Sequence, residues 1–212
     1  RHQTLKQLDK NTIRKNRIKI LAGLTRLRQI CCHPALFVDG YKGESAKLEQ
    51  LKQIIEESRF AGRRVLIFSQ FTKMLDLIGR ELAYEGIPFF YLDGQTPPEE
   101  RVETCEKFNA GERNFFLISL KAGGTGLNLT GADTVILYDL WWNPAVEEQA
   151  ADRAHRMGQK NKVQVIKLIA RGTIEEKMND LQDKKRNMIE EIIEEKSSAS
   201  LTEEDIREIL QI

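Results

Sequence analysis

Gln149, Arg153 and Arg156 stand at i, i+4 and i+7 within QAADRAHRMGQ, residues 149–159. On an α-helix that spacing sends all three side chains from one face. A guanidinium keeps its charge and presents a planar fork that fits two phosphate oxygens, so the arrangement suits charge stabilisation at a phosphoryl group. Asp152, four residues before Arg156, offers the plainer alternative of a surface ion pair worth about 0.5 kcal/mol. A second cluster, SLKAGGTGLNLT over residues 119–130, sets Gly123, Gly124 and Gly126 among the donors Lys121, Thr125 and Asn128. Such glycines let the backbone approach a phosphate or a neighbouring lobe closely, and they serve equally well in a tight corner after a strand. The loop is not a dinucleotide fingerprint, because Leu129 occupies the place of the third glycine and no acidic residue is well placed about 20 positions on.

Other chemistries are excluded by spacing. No GxxxxGK[ST] occurs, and no paired acidic element follows a strand where it would hold magnesium, so the cradle and metal site of a P-loop enzyme are lacking. Two phosphate-directed arginines without a cradle imply half of a nucleotide site. Cys31, Cys32 and His33 are adjacent rather than spaced as zinc loops require; they read as core packing and a helix stop. Three cysteines in all fit a reducing compartment better than a disulfide framework.

The elements that must position these residues follow from periodicity. Apolar, β-branched or aromatic runs at 65–68, 89–92, 115–118, 135–138 and 163–169 predict strands, the first four apolar enough to be covered on both faces. Helical patterns lie between several of them, at 73–85, 97–110 and 144–157. Thr96 and Glu99 read as a capping box with Pro97 at the first helical position, and Asn143 with Pro144 starts the last helix similarly. Alternating strands and helices predict an α/β fold, a parallel sheet with helices on both faces. Before it, Leu5, Leu8, Leu24, Leu27 and Ile30 mark a basic helix ended by Pro34. Ser45 then caps a helix that buries Leu48, Leu51, Ile54 and Ile55. After the last strand, Thr173 and Glu176 read as a second capping box, opening a long charged helix with Leu181, Met188, Ile189, Ile192 and Ile193 on one side. A Ser-rich joint, 197–200, leads to a short helix from Thr202 with Ile206, Ile209 and Leu210 as its stripe.

At 212 residues, 41% hydrophobic and 31% charged, the chain can bury a core without staples. A formal net charge of +1 announces no nucleic-acid partner, so any such contact is local. Lys6, Lys10, Arg14, Lys15, Arg17, Lys19, Arg26 and Arg28 gather near the N-terminus, and Glu190 to Glu195 is acidic; both read as solvated helix faces. No run is long enough to span a bilayer. Beginning RHQTLKQLDK without methionine, the chain is expected to be a piece of a longer protein.

Taken in order, LRQICCHPALF, VLIFSQF, FFYLDGQTPPEER, FLISLKAGGTGLNLTGADTVILYDLWWNP and QAADRAHRMGQ resemble the C-terminal motif set of the Swi/Snf family of superfamily-two ATPases. The similarity runs on through GTIEEKMNDLQDKKR and covers nearly all of residues 24–195. It implies the C-terminal of two RecA-like lobes that grip double-stranded DNA across a cleft, bind ATP between them and translocate without separating strands. On that resemblance Arg153 and Arg156 are arginine fingers, Gln149 opens their motif, and Gly124 and Gly126 couple nucleotide to DNA. Ser69, Gln70, Gly94, Arg101, Lys121, Thr125 and Asn128 match regions that lie along the DNA backbone. Trp141, Trp142, Asn143 and Pro144 match the aromatic-Asn-Pro turn, which also reads as a buried corner before a helix. Residues 1–44 would lead in from an N-terminal lobe, 45–172 would form the RecA-like domain, and 173–212 a helical extension. ATP would come with Mg²⁺ held by the other lobe, so this fragment alone is expected to bind no cofactor and to hydrolyse nothing. The expected location is the nucleoid or cytoplasm of a prokaryote, or the nucleus of a eukaryote, with no membrane partner. A strand-separating helicase lobe of the same superfamily and a non-enzymatic scaffold with the same fold are the alternatives.

Overall fold

The computed structural model describes residues 10–123, 126–154, 162–191 and 202–210. Each expected strand forms: β1 (Val65–Ser69), β2 (Phe89–Leu92), β3 (Phe115–Ser119), β4 (Thr134–Leu137) and β5 (Gln164–Lys167). All pairings are parallel, in the order β2-β3-β1-β4-β5. Ser69 lies level with Ser119, Phe68 with Leu137, and Leu92 with Ile118, so the carboxyl ends of the central strands finish together along one edge.

The helices, in chain order, are α1 (Lys10–Cys32), α2 (Ala46–Phe60), α3 (Thr72–Tyr84), α4 (Pro98–Ala110), the single turn α5 (Leu120–Gly123), α6 (Pro144–Asp152), α7 (Ile174–Glu191) and α8 (Glu203–Leu210). Because side chains alternate along a strand, Val65, Ile67, Leu117, Ile136 and Tyr138 face α2 and α3, packing on Leu48, Leu51, Met74, Leu75 and Ile78. Leu66, Phe68, Phe116, Ile118, Val135 and Leu137 face Cys105 and Phe108 of α4 and Ala150 of α6. A third core lies off the sheet, where Ile20 and Leu24 of α1 meet Met178 and Leu181 of α7, Ile206 and Ile209 of α8, and Leu140.

Two caps form as read: Ser45 Oγ accepts from the Leu48 amide at 3.4 Å and Asn143 Oδ1 from the Ala145 amide at 3.0 Å. The capping box at Thr96 does not form. Its hydroxyl accepts from the Asp93 amide at 3.1 Å, closing a turn of its own. Pro97, preceding Pro98, is driven to ψ 149°, so α4 starts one residue late with Pro98 at its first position. At α7, Thr173 Oγ1 accepts from Glu175 N at 3.1 Å, while Glu176 reaches back to the amide of Gly172 at 2.7 Å rather than to that of Thr173.

The stripe of α1 also differs from expectation. Leu24 is buried, but Leu27 and Ile30 are 42% and 38% exposed; the buried line runs Ile20, Leu24, Arg28. Arg28 therefore belongs to no solvated face. Leu5, Leu8 and the stretch 192–200 lie outside the described residues.

Candidate nucleotide and nucleic-acid interface

In a parallel sheet, ligand-facing loops leave the carboxyl ends of the strands, and the candidate residues that the structure describes fall on or beside those loops. Helix α6 carries Gln149, exposed, and closes with Arg153 at its C-cap. It ends at Asp152, with Arg153 and Ala154 already in a turn, because its last turn is tied elsewhere: the Arg153 carbonyl accepts the Leu129 amide at 3.0 Å; the rest of the expected span, 155–157, lies outside the described residues. The glycine-rich loop and the arginine-bearing helix are thus joined main chain to main chain. Arg153 is half-buried, and among the described residues its buried Nε has no hydrogen-bond partner. Burying a charged donor unpaired costs free energy, so an anion would satisfy this atom. Arg156, Gly124 and Thr125 lie outside the described residues.

Gly126 adopts φ 67°, a left-handed turn that glycine tolerates at no steric cost. With Arg101, Asn109 and Asn128 it lines an open groove of about 690 Å³ between α4 and the glycine-rich loop. Asn109 bridges the two walls, Nδ2 donating to the Asn128 carbonyl at 2.9 Å and Oδ1 accepting from Gly131 N at 2.9 Å. Lys121 and the Asn128 side chain are exposed. Arg101 does its work within the loop beside it: Nε donates to the Thr96 carbonyl at 2.7 Å, and one terminal nitrogen to the carbonyls of Asp93 and Gly94 at 3.1 and 3.2 Å. Its guanidinium shapes the Gly94 loop.

Ser69 is fully buried and donates to the carboxylate of Asp139, so its hydroxyl is engaged within the protein. Asp139 also accepts the Gln70 amide at 3.1 Å, which fixes where Gln70 leaves β1. Gln70 itself is half-buried, its side chain 3.5 Å from the Leu140 carbonyl. Burial pushes the Asp139 carboxyl above its ordinary range, against the pull of Ser69 and the Gln70 amide.

The sequence reading missed a buried charged floor beneath these loops. Lys47 Nζ, on α2, sits 2.5 Å from both carboxylate oxygens of Glu175 and 3.0 Å from the Tyr138 carbonyl. Arg28 donates to the Leu140 carbonyl, with Phe71, Trp141 and Trp142 rings 5.6, 5.3 and 5.0 Å from its guanidinium carbon. Burial lowers its pKa from the ordinary arginine value, and the charge of Asp139 offsets part of that. Glu147, 2% exposed on α6, takes the Trp141 amide at 3.1 Å and Lys167 at 2.8 Å. One signal was available: Arg28 follows Ile20 and Leu24 at i+4 steps, a cation in an apolar line. Nothing local marks Lys47 or Glu175, which lie 128 residues apart.

The helicase conserved C-terminal domain family matches residues 46–158. The chain is 43% identical over 77% of its length to a mouse SWI/SNF-related matrix-associated actin-dependent regulator of chromatin, subfamily A member 1, of which it covers 17%. It is 39% identical over 93% of its length to an uncharacterised ATP-dependent helicase of Mycoplasma pneumoniae, covering 19% of that protein. The chain thus spans about a fifth of the length of these curated relatives. Among solved structures, the SWI2/SNF2 ATPase C-terminal domain of Sulfolobus solfataricus aligns with a TM-score of 0.71 and 36% identity, over 92% of this chain and 82% of that one. The sheet order, the strand-end loops and these likenesses together place the chain in the helicase conserved C-terminal domain family, as the RecA-like C-terminal lobe of a Snf2-type superfamily-two protein.

Proposed function

We propose that this chain is the C-terminal motor lobe of an ATP-dependent double-stranded DNA translocase, and that Arg153 and Arg156 are the arginine fingers it offers to ATP held by a second lobe. The observation that carries the reading is the buried Nε of Arg153, which has no partner among the described residues, on a residue whose carbonyl is bonded to the glycine-rich loop. In phosphoryl transfer a guanidinium stabilises charge on the departing γ-phosphate. The residues present fit ATP from one side only: Arg153 and Gln149 face the nucleotide, and Gly126 lets the loop approach it. ATP supplies the phosphoryl group that is cleaved, and Mg²⁺ belongs to the other lobe. Among the described residues, no group of three His, Cys, Asp or Glu side chains converges to hold a metal.

The groove lined by Arg101, Gly126 and Asn128, with exposed Lys121 at the loop start, is assigned to the DNA backbone. Lobe closure on ATP sets Arg153; hydrolysis releases it, and the Leu129–Arg153 link carries the movement to the loop. In the full-length protein, Arg153→Ala is expected to slow DNA-stimulated ATP hydrolysis by about 10³-fold while leaving the chain folded. The chain alone is expected to turn over no ATP. A parent-like rate in Arg153→Ala, measured by phosphate release, overturns the assignment.

A further inference from the structure

Leu140, Trp141 and Trp142 lie within the six residues that join β4 to α6, and three of their main-chain polar groups are held by side chains from helices. The Leu140 carbonyl accepts from Arg28 on α1. The Trp141 amide donates to Glu147 at 3.1 Å, and the Trp141 carbonyl accepts from Gln182 on α7. Gln182 is fully buried; its Nε2 also reaches Glu147 Oε1 at 2.8 Å, and its Oε1 accepts from Lys167 at 3.3 Å. The Trp141 and Trp142 indoles stack at 4.5 Å and 29°, with the Arg28 guanidinium near both rings.

Two of these holders come from outside the sheet and its covering helices. Arg28 belongs to the helix before the domain and Gln182 to the helix after it, and both end on the same turn. The hydrogen bonds of these two side chains run to Leu140, Trp141, Glu147 and Lys167, so their effect on the candidate phosphate site runs through the turn. The turn sets the direction of α6, nine residues long from Pro144 to Asp152, hence about 13 Å at 1.5 Å per residue. A tilt of about 5° at its start would carry Arg153, at the far end, about 1 Å away, and a displacement of that size costs on the order of 100-fold in rate.

We propose that Arg28 and Gln182 are positioning residues: a strut from each flanking helix locks the Leu140–Trp142 turn and thereby aims Arg153. This rests on the assignment of Arg153 to the nucleotide, and it adds that the flanking helices set how fast the phosphoryl step runs.

The test uses the full-length protein with DNA present, comparing Arg28→Met, Arg28→Lys, Gln182→Met, the double variant R28M/Q182M and Arg153→Ala. Each single Met variant is expected to lower kcat about tenfold or more, with KM for ATP within about threefold. Arg28→Lys, which keeps a cation and a donor for the Leu140 carbonyl, is expected to recover part of the loss. Because both struts act on one turn, the double variant should lose about as much rate as the worse single, whereas two unrelated losses would multiply. Melting temperatures, measured alongside, should instead fall additively. Parent-like kcat in both single variants overturns the proposal, and so do rate losses that multiply in step with melting temperature. If Arg28→Met fails to fold, Gln182→Met and Arg28→Lys decide alone, and parent-like kcat in both overturns it. A rate loss in Arg153→Ala with parent-like kcat in both single Met variants sinks this inference only; a parent-like rate in Arg153→Ala sinks the assignment beneath it.

Discussion

The carboxyl edge of the sheet has two halves built on opposite rules. Under β1 and β4 lie Arg28, Lys47, Asp139, Glu147, Glu175 and Gln182, every one at most 7% exposed and each bonded to a partner from another element. Beyond β2 and β3 the Gly94 and Gly126 loops lie open, shaped by carbonyls on Arg101 and by glycine backbone. Low dielectric makes a satisfied buried network rigid and a broken one costly. Exposed loops cost little to distort and take their final form from what binds them. One half holds a geometry; the other receives one.

The sharpest way to break that contrast is to remove one charge from the buried half. Lys47→Met leaves Glu175 buried without its cation and is expected to cost about 3–5 kcal/mol in urea unfolding. In the open half, Arg101→Ala removes three bonds to carbonyls that water can partly replace, and about 2 kcal/mol is expected in the same measurement. If the two losses prove equal, the distinction between the halves falls. Smallest is Gly126→Ala: open space surrounds a new Cβ, so only the left-handed backbone at φ +67° resists it. A loss of about 1 kcal/mol is expected, and a larger one would show the open loop to be as tightly specified as the floor.

The same contrast explains what was legible beforehand. The first four strands were plain because covered parallel strands need unbroken apolar runs, and the caps at Ser45 and Asn143 because a cap is local chemistry. Gln149, Gly126, Asn128 and Lys121 were found on exposed loops or helix surface, where a side chain's type states what it offers. Buried polar residues escape such reading. Ser69 reads as a free hydroxyl until Asp139 is seen beside it, 70 residues away in sequence, and Arg28 as one more surface cation until Leu140 is, 112 residues away. Thr96 misled for a related reason, since its hydroxyl had a nearer partner in Asp93. The extent of α6 was overestimated because periodicity cannot see that a distant amide ends it.

That distant amide has an evolutionary corollary. The bond from Leu129 to Arg153 uses no side-chain atom at either end, so nearly any replacement at these positions leaves the tether intact, however it alters recognition or chemistry. Only proline at position 129, which carries no N–H, would delete the donor outright. Sequences can therefore drift in what the loop reads and what the helix presents while the joint between them is inherited unchanged, written into the path of the chain itself.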